Sequence, residues 1–268
     1  MNYKVPQIVL GRTGLKVTRL GIGGAYCESV DTYRAAIDCG VNYIDTARIY
    51  RDGEDEKVIG QAIRGIRDRL ILATKTIQRS ADGALKDLET SLRLLDTEYI
   101  DIYQLHHVNT QADLEQSLGP DGALEAVQKA RDKGLIRFIG VTGHDGVQMQ
   151  KDVSTGLFDT VLCWYNCAMR EPENTVLPEA KLHNTGVIIM NATRNDRLLN
   201  DPDAPLPEQF YRYVLSHEAV HTTIMGLRNI ERFCRVASEL SERANLTREE
   251  KSNIESYGSK MRSLGKLD

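Results

Sequence analysis

The chain has no apolar run approaching the roughly 18 residues that a membrane-spanning helix requires, so no membrane partner is expected from it. It also lacks a basic excess. Lys and Arg number 34 against 38 Asp and Glu, a formal net charge of −4, which gives no general electrostatic attraction for nucleic acid. The first ten residues hold Asn2, Lys4, Pro6 and Gln7 where a secretory leader needs an uninterrupted apolar core, so a cytoplasmic location is the default expectation. Pro/Gly/Ser-rich linkers and short-period repeats are missing, and one domain over residues 1–268 follows. Cysteine is scarce. Cys27, Cys39, Cys163, Cys167 and Cys234 are odd in number and scattered, which suits reduced, buried thiols better than a disulfide framework. Cys163 and Cys167 have no second pair to complete a metal-ligand set, and no metal is expected.

What is present is a repeating alternation. Gln7–Leu10 and Leu15–Leu20 flank a Gly-bracketed turn at Gly11–Gly14 and read as a hairpin within residues 1–20. A short strand ending in Gly21-Ile22-Gly23-Gly24 follows, then a helical pattern over residues 30–39 stopped by Gly40. Further strand-like runs lie at 43–45, 70–74, 100–105, 136–141, 160–163, 187–190 and 223–225. Helical patterns follow them at 54–66, 84–95, 123–133, 147–155, 179–184, 207–216 and 230–243. Eight strand–helix units in 268 residues predict an α/β protein, a closed (β/α)8 barrel of the TIM type, because alternating units build a parallel sheet and that length is typical of the closed form. Residues 247–264 add a C-terminal helix, opened by Thr247 with Glu249 and Glu250.

In such a barrel chemistry collects at the C-terminal ends of the strands. There the sequence places Asp45, Lys75 and the pair His106-His107, with Tyr50 five residues beyond Asp45. Each has an ordinary explanation: Asp45-Thr46 as a helix N-cap, Tyr50 as a half-buried aromatic, Lys75 as a loop charge, one histidine as a structural group. Their convergence on neighbouring strands favours a site. A tyrosine is a poor acid at neutral pH, and a nearby ammonium favours its ionised form, so Lys75 is expected to lower the Tyr50 pKa while Asp45 holds Lys75 in place and charged.

Asp45-Thr46-Ala47-Arg48-Ile49-Tyr50, Ala73-Thr74-Lys75 and Gln104-Leu105-His106, in this order and at these separations, resemble the signatures of the aldo-keto reductases. The likeness extends from the hairpin to Thr223–Leu227. It implies a (β/α)8 reductase that passes a hydride from NADP(H), with NAD(H) as the alternative donor, to a small-molecule carbonyl substrate, an aldehyde or a ketone. Tyr50 would then be the general acid, Lys75 and Asp45 the pair that tunes it, and His106 the donor that orients the substrate.

The likeness also implies a cofactor site, with departures. Gly140-Val141-Thr142-Gly143-His144 stands where the family has a Ser-Asn pair, so Thr142 keeps one polar contact to the nicotinamide carboxamide. Leu162 stands at a glutamine position, leaving His144 or Asn166 to replace it, and Met190 stands at an aromatic one, where its thioether would pack on the ring. Gly23, Asn191 and Arg194 line the path of the dinucleotide, and Gly226, Arg228 and Asn229 open a helix suited to its phosphate end. Trp164 and Tyr165 are expected near the mouth, and a short C-terminal tail implies an open site. Two other readings compete. One is a nucleotide-binding regulatory subunit on the same fold, like the potassium-channel β subunits. The other is a Rossmann dehydrogenase built on Gly21-Ile22-Gly23-Gly24, in which Tyr26 falls where the third glycine belongs.

Overall fold

The computed structural model describes residues 3–243 and 245–266, so the first two residues of the expected 1–20 hairpin segment lie outside it. Strands β1 (Gln7–Val9) and β2 (Lys16–Thr18) pair antiparallel, and their turn carries Gly14 at φ 71°, a left-handed conformation that suits glycine. Eight strands then close a parallel barrel: β3 (Leu20–Gly23), β4 (Tyr43–Asp45), β5 (Ile71–Thr76), β6 (Ile100–Leu105), β7 (Ile136–Gly143), β8 (Thr160–Trp164), β9 (Gly186–Met190) and β10 (Thr222–Gly226), which pairs back onto β3. The expected alternation is therefore present, and the hairpin lies outside the barrel sheet.

Helices following the strands form the outer layer: α1 (Val30–Asp38), α2 (Glu54–Ile63), α3 (Ala81–Leu95), α4 (Gln111–Leu118), α5 (Ala123–Asp132), α6 (Gly146–Ser154), α7 (Val176–Leu182), α8 (Pro207–Leu215) and α9 (Ile230–Glu242). Helix α10 (Arg248–Ser263) follows, opened by a capping box in which Thr247 and Glu250 satisfy each other's backbone N–H groups. Helix α4 has no counterpart among the expected elements. Its signal was present as Thr110 and Asp113, which form the same reciprocal box, but the helix is short and its apolar pattern weak.

Two apolar layers hold the barrel. Tyr43, Ala73, Ile102, Leu162 and Ile188 point inward from alternate strand positions and fill its centre, while the larger cluster packs helices onto the outside of the sheet. Leu162 thus belongs to the core of the barrel.

The cysteine expectation is corrected in part. Cys27, Cys163 and Cys167 are free and buried, but Cys39 and Cys234, 195 residues apart, form a disulfide. Scattered positions concealed it because closing the barrel brings the first and last helices of the eight units side by side. Among the described residues no helix is long and apolar enough to cross a membrane.

One buried carboxyl titrates near neutrality for structural reasons. Asp152 on α6 accepts from Gln148 at 2.8 Å through Oδ1 while its Oδ2 has no partner, and burial lifts its pKa from 3.8 to about 7. The folded state therefore binds this proton more tightly than the unfolded chain, and the associated stability is lost as pH rises from about 4 through 7. Asp152→Asn should match the parent in denaturant melts at pH 4 and exceed it by on the order of 4 kcal/mol at pH 8.

Candidate active site

Strand periodicity builds the site. Two residues above the apolar layer, the same inward parity brings up Asp45 on β4, Lys75 on β5, Gln104 on β6, Thr142 on β7, Trp164 on β8, Met190 on β9 and Gly226 on β10. Register sets Asp45 opposite Ala73 and Lys75 opposite Gln104. On β4 to β7 the inward-facing residues thus change from apolar or glycine to polar within a single pleat.

Asp45 is the last residue of its strand and caps no helix. It is 1 % exposed, accepts from Lys75 Nζ, and accepts from Gln104 Nε2 at 2.8 Å. Lys75 Nζ, also buried, donates to the Thr46 carbonyl at 2.6 Å. Gln104, quoted in a motif but given no role by sequence reasoning, therefore satisfies the acid's second oxygen. Burial by itself would lower the Lys75 pKa, but Asp45 and Tyr50 outweigh it and the ammonium is held charged. Burial lifts Asp45, an effect that Lys75 and Gln104 offset only in part.

The loop after β4 is fixed by a second set of buried acids that the sequence did not reveal as such. Asp55 accepts from Thr46 Oγ1 at 2.6 Å and from Tyr33 Oη at 2.8 Å. Glu56 accepts from Thr74 Oγ1 and from Arg48 Nη1, each at 2.6 Å. Both sit in the first turn of α2, where the helix dipole favours negative charge. They tie α2 to the ends of β4 and β5, and so position the Tyr50 turn, in which Arg51, Asp52 and Gly53 are left-handed.

Tyr50 projects from that turn with its ring centroid 5.0 Å from Lys75 Nζ and 5.8 Å from the His106 ring. The expected direction of its pKa is corrected. Burial raises it above 10.0, and Lys75 cancels only part of that rise. Tyr50 therefore keeps its proton at neutral pH. His106 is 2 % exposed with Nδ1 unpartnered, and burial followed by the Lys75 charge pushes its pKa far down, so the imidazole is neutral. From His106 the rings continue through His107 at 4.0 Å and His144 at 4.7 Å to Trp164, stacked on His144 at 4.2 Å. Burial first, then the other charges, lowers His107 and brings His144 down to about 4. These histidines are consequently neutral near pH 7.

Tyr50 opens onto a cleft of about 250 Å³ along the rim. Of the expected cofactor residues, Gly23, Met190, Asn191, Gly226, Arg228 and Asn229 line it. Thr142, Asn166 and Arg194 do not. Thr142 is buried, its carbonyl accepting from Val108 N–H at 2.8 Å. Asn166 accepts from the N–H groups of Ala168 and Met169 and donates to the Asn191 carbonyl at 3.0 Å, so it braces the cleft from beneath. Arg194 stacks its guanidinium 4.4 Å from the Trp164 ring. Trp164 lines the cleft as expected, whereas Tyr165 is buried and donates to Glu173.

Tyr26, Asn195 and Asp196 line the cleft from the loops after β3 and β9, and Tyr211 and Arg232 line it without having been singled out by sequence reasoning. Arg228 lies over the Tyr26 ring at 4.0 Å, Tyr26 Oη bonds Asn195 at 3.2 Å, and Arg232 pairs with Asp196 at 2.9 Å. The paired strand ends at Gly23 and Gly226 present no side chain to the cleft. A Cβ on Gly226 would lie 2.5 Å from the Tyr26 ring. Helix α10 leans on the rim loops from outside, with Tyr257 Oη on the Leu198 carbonyl. No described residue of α10 lines the cleft.

Residues 18–203, more than half of the chain, match the profile of the Aldo/keto reductase family. The chain belongs to this family. Among curated relatives of this aldo-keto reductase, aldo-keto reductase YhdN of Bacillus subtilis is 36% identical over 192 residues, 63% of this chain and 56% of the relative. The match thus spans little more than half of that relative's length. YqkF of the same organism, an uncharacterized oxidoreductase, is 25% identical over 92% of this chain and 95% of its own. Aldo-keto reductase AKR11C1 from Bacillus halodurans in its holo form superposes with a TM-score of 0.81 at 25% identity, covering 94% of this chain and 96% of that one. An aldo/keto reductase from Klebsiella pneumoniae, solved with NADP and acetate, gives a TM-score of 0.78 at 26% identity over 94% and 95% of the two chains.

Proposed function

We propose that residues 1–268 act as one unit that reduces an aldehyde or ketone to an alcohol with NADP(H), NAD(H) being the alternative donor. The observation that carries this reading is Tyr50. Burial keeps it protonated, it sits beside Lys75 and His106, and it opens onto the cleft. A neighbour of the same fold is described with NADP.

The cleft suits an extended dinucleotide. Gly23 and Gly226 leave its floor free of side chains, Met190 offers a thioether for an aromatic face, and Arg228 and Arg232 bring cations to the end opened by α9. Gly23, Met190, Asn191, Gly226, Arg228 and Asn229 would hold it. When bound, a reduced nicotinamide supplies the hydride. The chain supplies the rest. Tyr50 Oη gives its proton to the carbonyl oxygen, Lys75 stabilises the phenolate left behind, and Asp45 with Gln104 fixes Lys75 in place. His106, neutral, orients the carbonyl oxygen by a hydrogen bond and adds no charge. The rings of His144 and Trp164, which line the cleft, suit a carbonyl compound with an apolar or aromatic body.

The test is to titrate NADPH and NADH separately by fluorescence, then to follow carbonyl-dependent oxidation of the one that binds across a panel of aldehydes and ketones. Saturable binding and turnover are expected. Failure of both dinucleotides to bind would overturn the reading.

A further inference from the structure

Away from the rim, the Cys39–Cys234 disulfide is a feature that the proposed chemistry leaves unused. Cys39 follows the last residue of α1 and is 3 % exposed, whereas Cys234, on α9, is only partly buried. Both line a groove of about 560 Å³ on the outer surface, with Tyr3, Ala35, Asp38 and Glu231 among its walls. The bond is thus reachable from solvent through a groove large enough for a small molecule. The other three cysteines are buried without a partner thiol, so this pair is set apart both by its bond and by its access.

Its position has a consequence for the cleft. Helix α9 begins at Ile230 behind its cap Asn229, whose side chain accepts from Arg232 N–H at 2.8 Å. Arg228, Asn229 and Arg232 line the cleft, and Cys234 lies two residues beyond Arg232 on α9. Phe233, Val236, Ala237 and Leu240 are fully buried or nearly so and pack the body of α9 on the barrel. What the disulfide adds is a covalent tie between the start of α9 and the end of α1, across the seam where β10 meets β3.

We infer that Cys39–Cys234 is a thiol–disulfide exchange site, opened by small thiols entering the groove, and that its bond holds the first turn of α9 in the position that grips the dinucleotide. The second half rests on the function proposed above. A thiolate enters the groove and attacks Sγ of Cys234, the more exposed residue of the pair. A bond forms between the reagent sulfur and Cys234, the Cys234–Cys39 bond breaks, and Cys39 leaves as a thiolate that takes a proton from water. A second reagent thiolate attacks the reagent sulfur of this mixed disulfide and releases Cys234, which is protonated in turn. The protein disulfide is reduced by two electrons to two thiols, and two reagent thiols are oxidised to one disulfide. Asp38 and Glu231 face the groove, while Arg235 beside them is engaged with Glu208 at 3.4 Å. Thiols carrying a positive charge should therefore react faster than those carrying a carboxylate.

The experiment treats the folded protein with cysteamine or, separately, with thioglycolate, and counts maleimide-labelled cysteines by mass and peptide map. Dissociation constants for NADPH are then measured on the disulfide form, the opened form, and the Cys39→Ser and Cys234→Ser variants. Labelling confined to Cys39 and Cys234, faster with cysteamine than with thioglycolate, is the expected result, together with NADPH binding weaker by about fivefold or more in the opened form and both variants. Reagent opening supplies the reduced state even if a serine variant fails to fold. Absence of labelling under conditions that leave the fold intact overturns the exchange site. Labelling with an unchanged dissociation constant overturns the link to α9. If no form binds a dinucleotide, the function proposed above fails, while the labelling result still decides the exchange site.

Discussion

Tyr50→Phe is expected to lower kcat/KM for carbonyl reduction by about 10²–10⁴-fold while leaving the dissociation constant of the dinucleotide essentially unchanged. The substitution removes one oxygen and keeps the ring, so the packing against His106 and Lys75 survives. It deletes the group that burial holds in its protonated form. The pH profile of the parent enzyme gives a second check. An acid loses its proton as pH rises through its pKa, and that of Tyr50 is raised above 10.0. Its activity should therefore be flat through neutrality and fall only on the alkaline side. His106, held neutral by burial and by Lys75, adds no acid limb near its ordinary pKa of 6.5. Retention of turnover by Tyr50→Phe, or a profile that falls between pH 6 and 8, would remove Tyr50 from the role of acid.

Lys75→Met should cost about 3–5 kcal/mol of stability at pH 8 and abolish measurable turnover. The methionine fills similar space but leaves Asp45, 1 % exposed, with Gln104 as its one remaining side-chain donor. Burial already lifts the Asp45 pKa with the ammonium in place, and without it the carboxyl rises further. A raised folded-state pKa on an acid means stability that is lost as pH increases, so the deficit should be smaller at pH 5 than at pH 8. The double variant Asp45→Asn, Lys75→Met should recover part of the stability lost by the single one, because no unpaired charge then remains in the barrel. Urea melts of the three proteins at the two pH values decide this. A single variant as stable as the parent at pH 8 would mean that the pair is not ionic in the folded protein.

That Asp45, Tyr50, Lys75 and His106 meet at the rim was legible because each lies within a few residues of a strand end, and alternation along a strand fixes which side chains reach the rim. Gln104 shares their inward parity and went unassigned because an amide in a strand carries no chemical signature of its own. The sign of the Tyr50 shift was misjudged for a related reason. The sequence shows a lysine that would lower it, but the desolvation that outweighs the lysine depends on how closely loops and neighbouring strands cover the ring.

The lining of the cleft was legible only at strand and helix ends. Gly23, Met190, Gly226 and Asn229 follow from strand and helix boundaries and line the cleft, while Thr142 and Asn166, assigned to contacts with the dinucleotide, brace the loops around it. Tyr26, Asn195 and Asp196 come from loops whose paths are set by contacts with one another, such as Tyr26 with Arg228, and those contacts join residues far apart in the chain.

By itself the sequence determined the barrel, since eight alternations of period two and period 3.6 admit few other closed packings, and with it the rim on which Asp45, Tyr50, Lys75 and His106 meet. Tertiary structure alone decided the protonation of Tyr50, the occupants of the cleft wall and the pairing of Cys39 with Cys234. Burial and closure of the β3–β10 seam are properties of the assembled barrel, and no local pattern of residues encodes them.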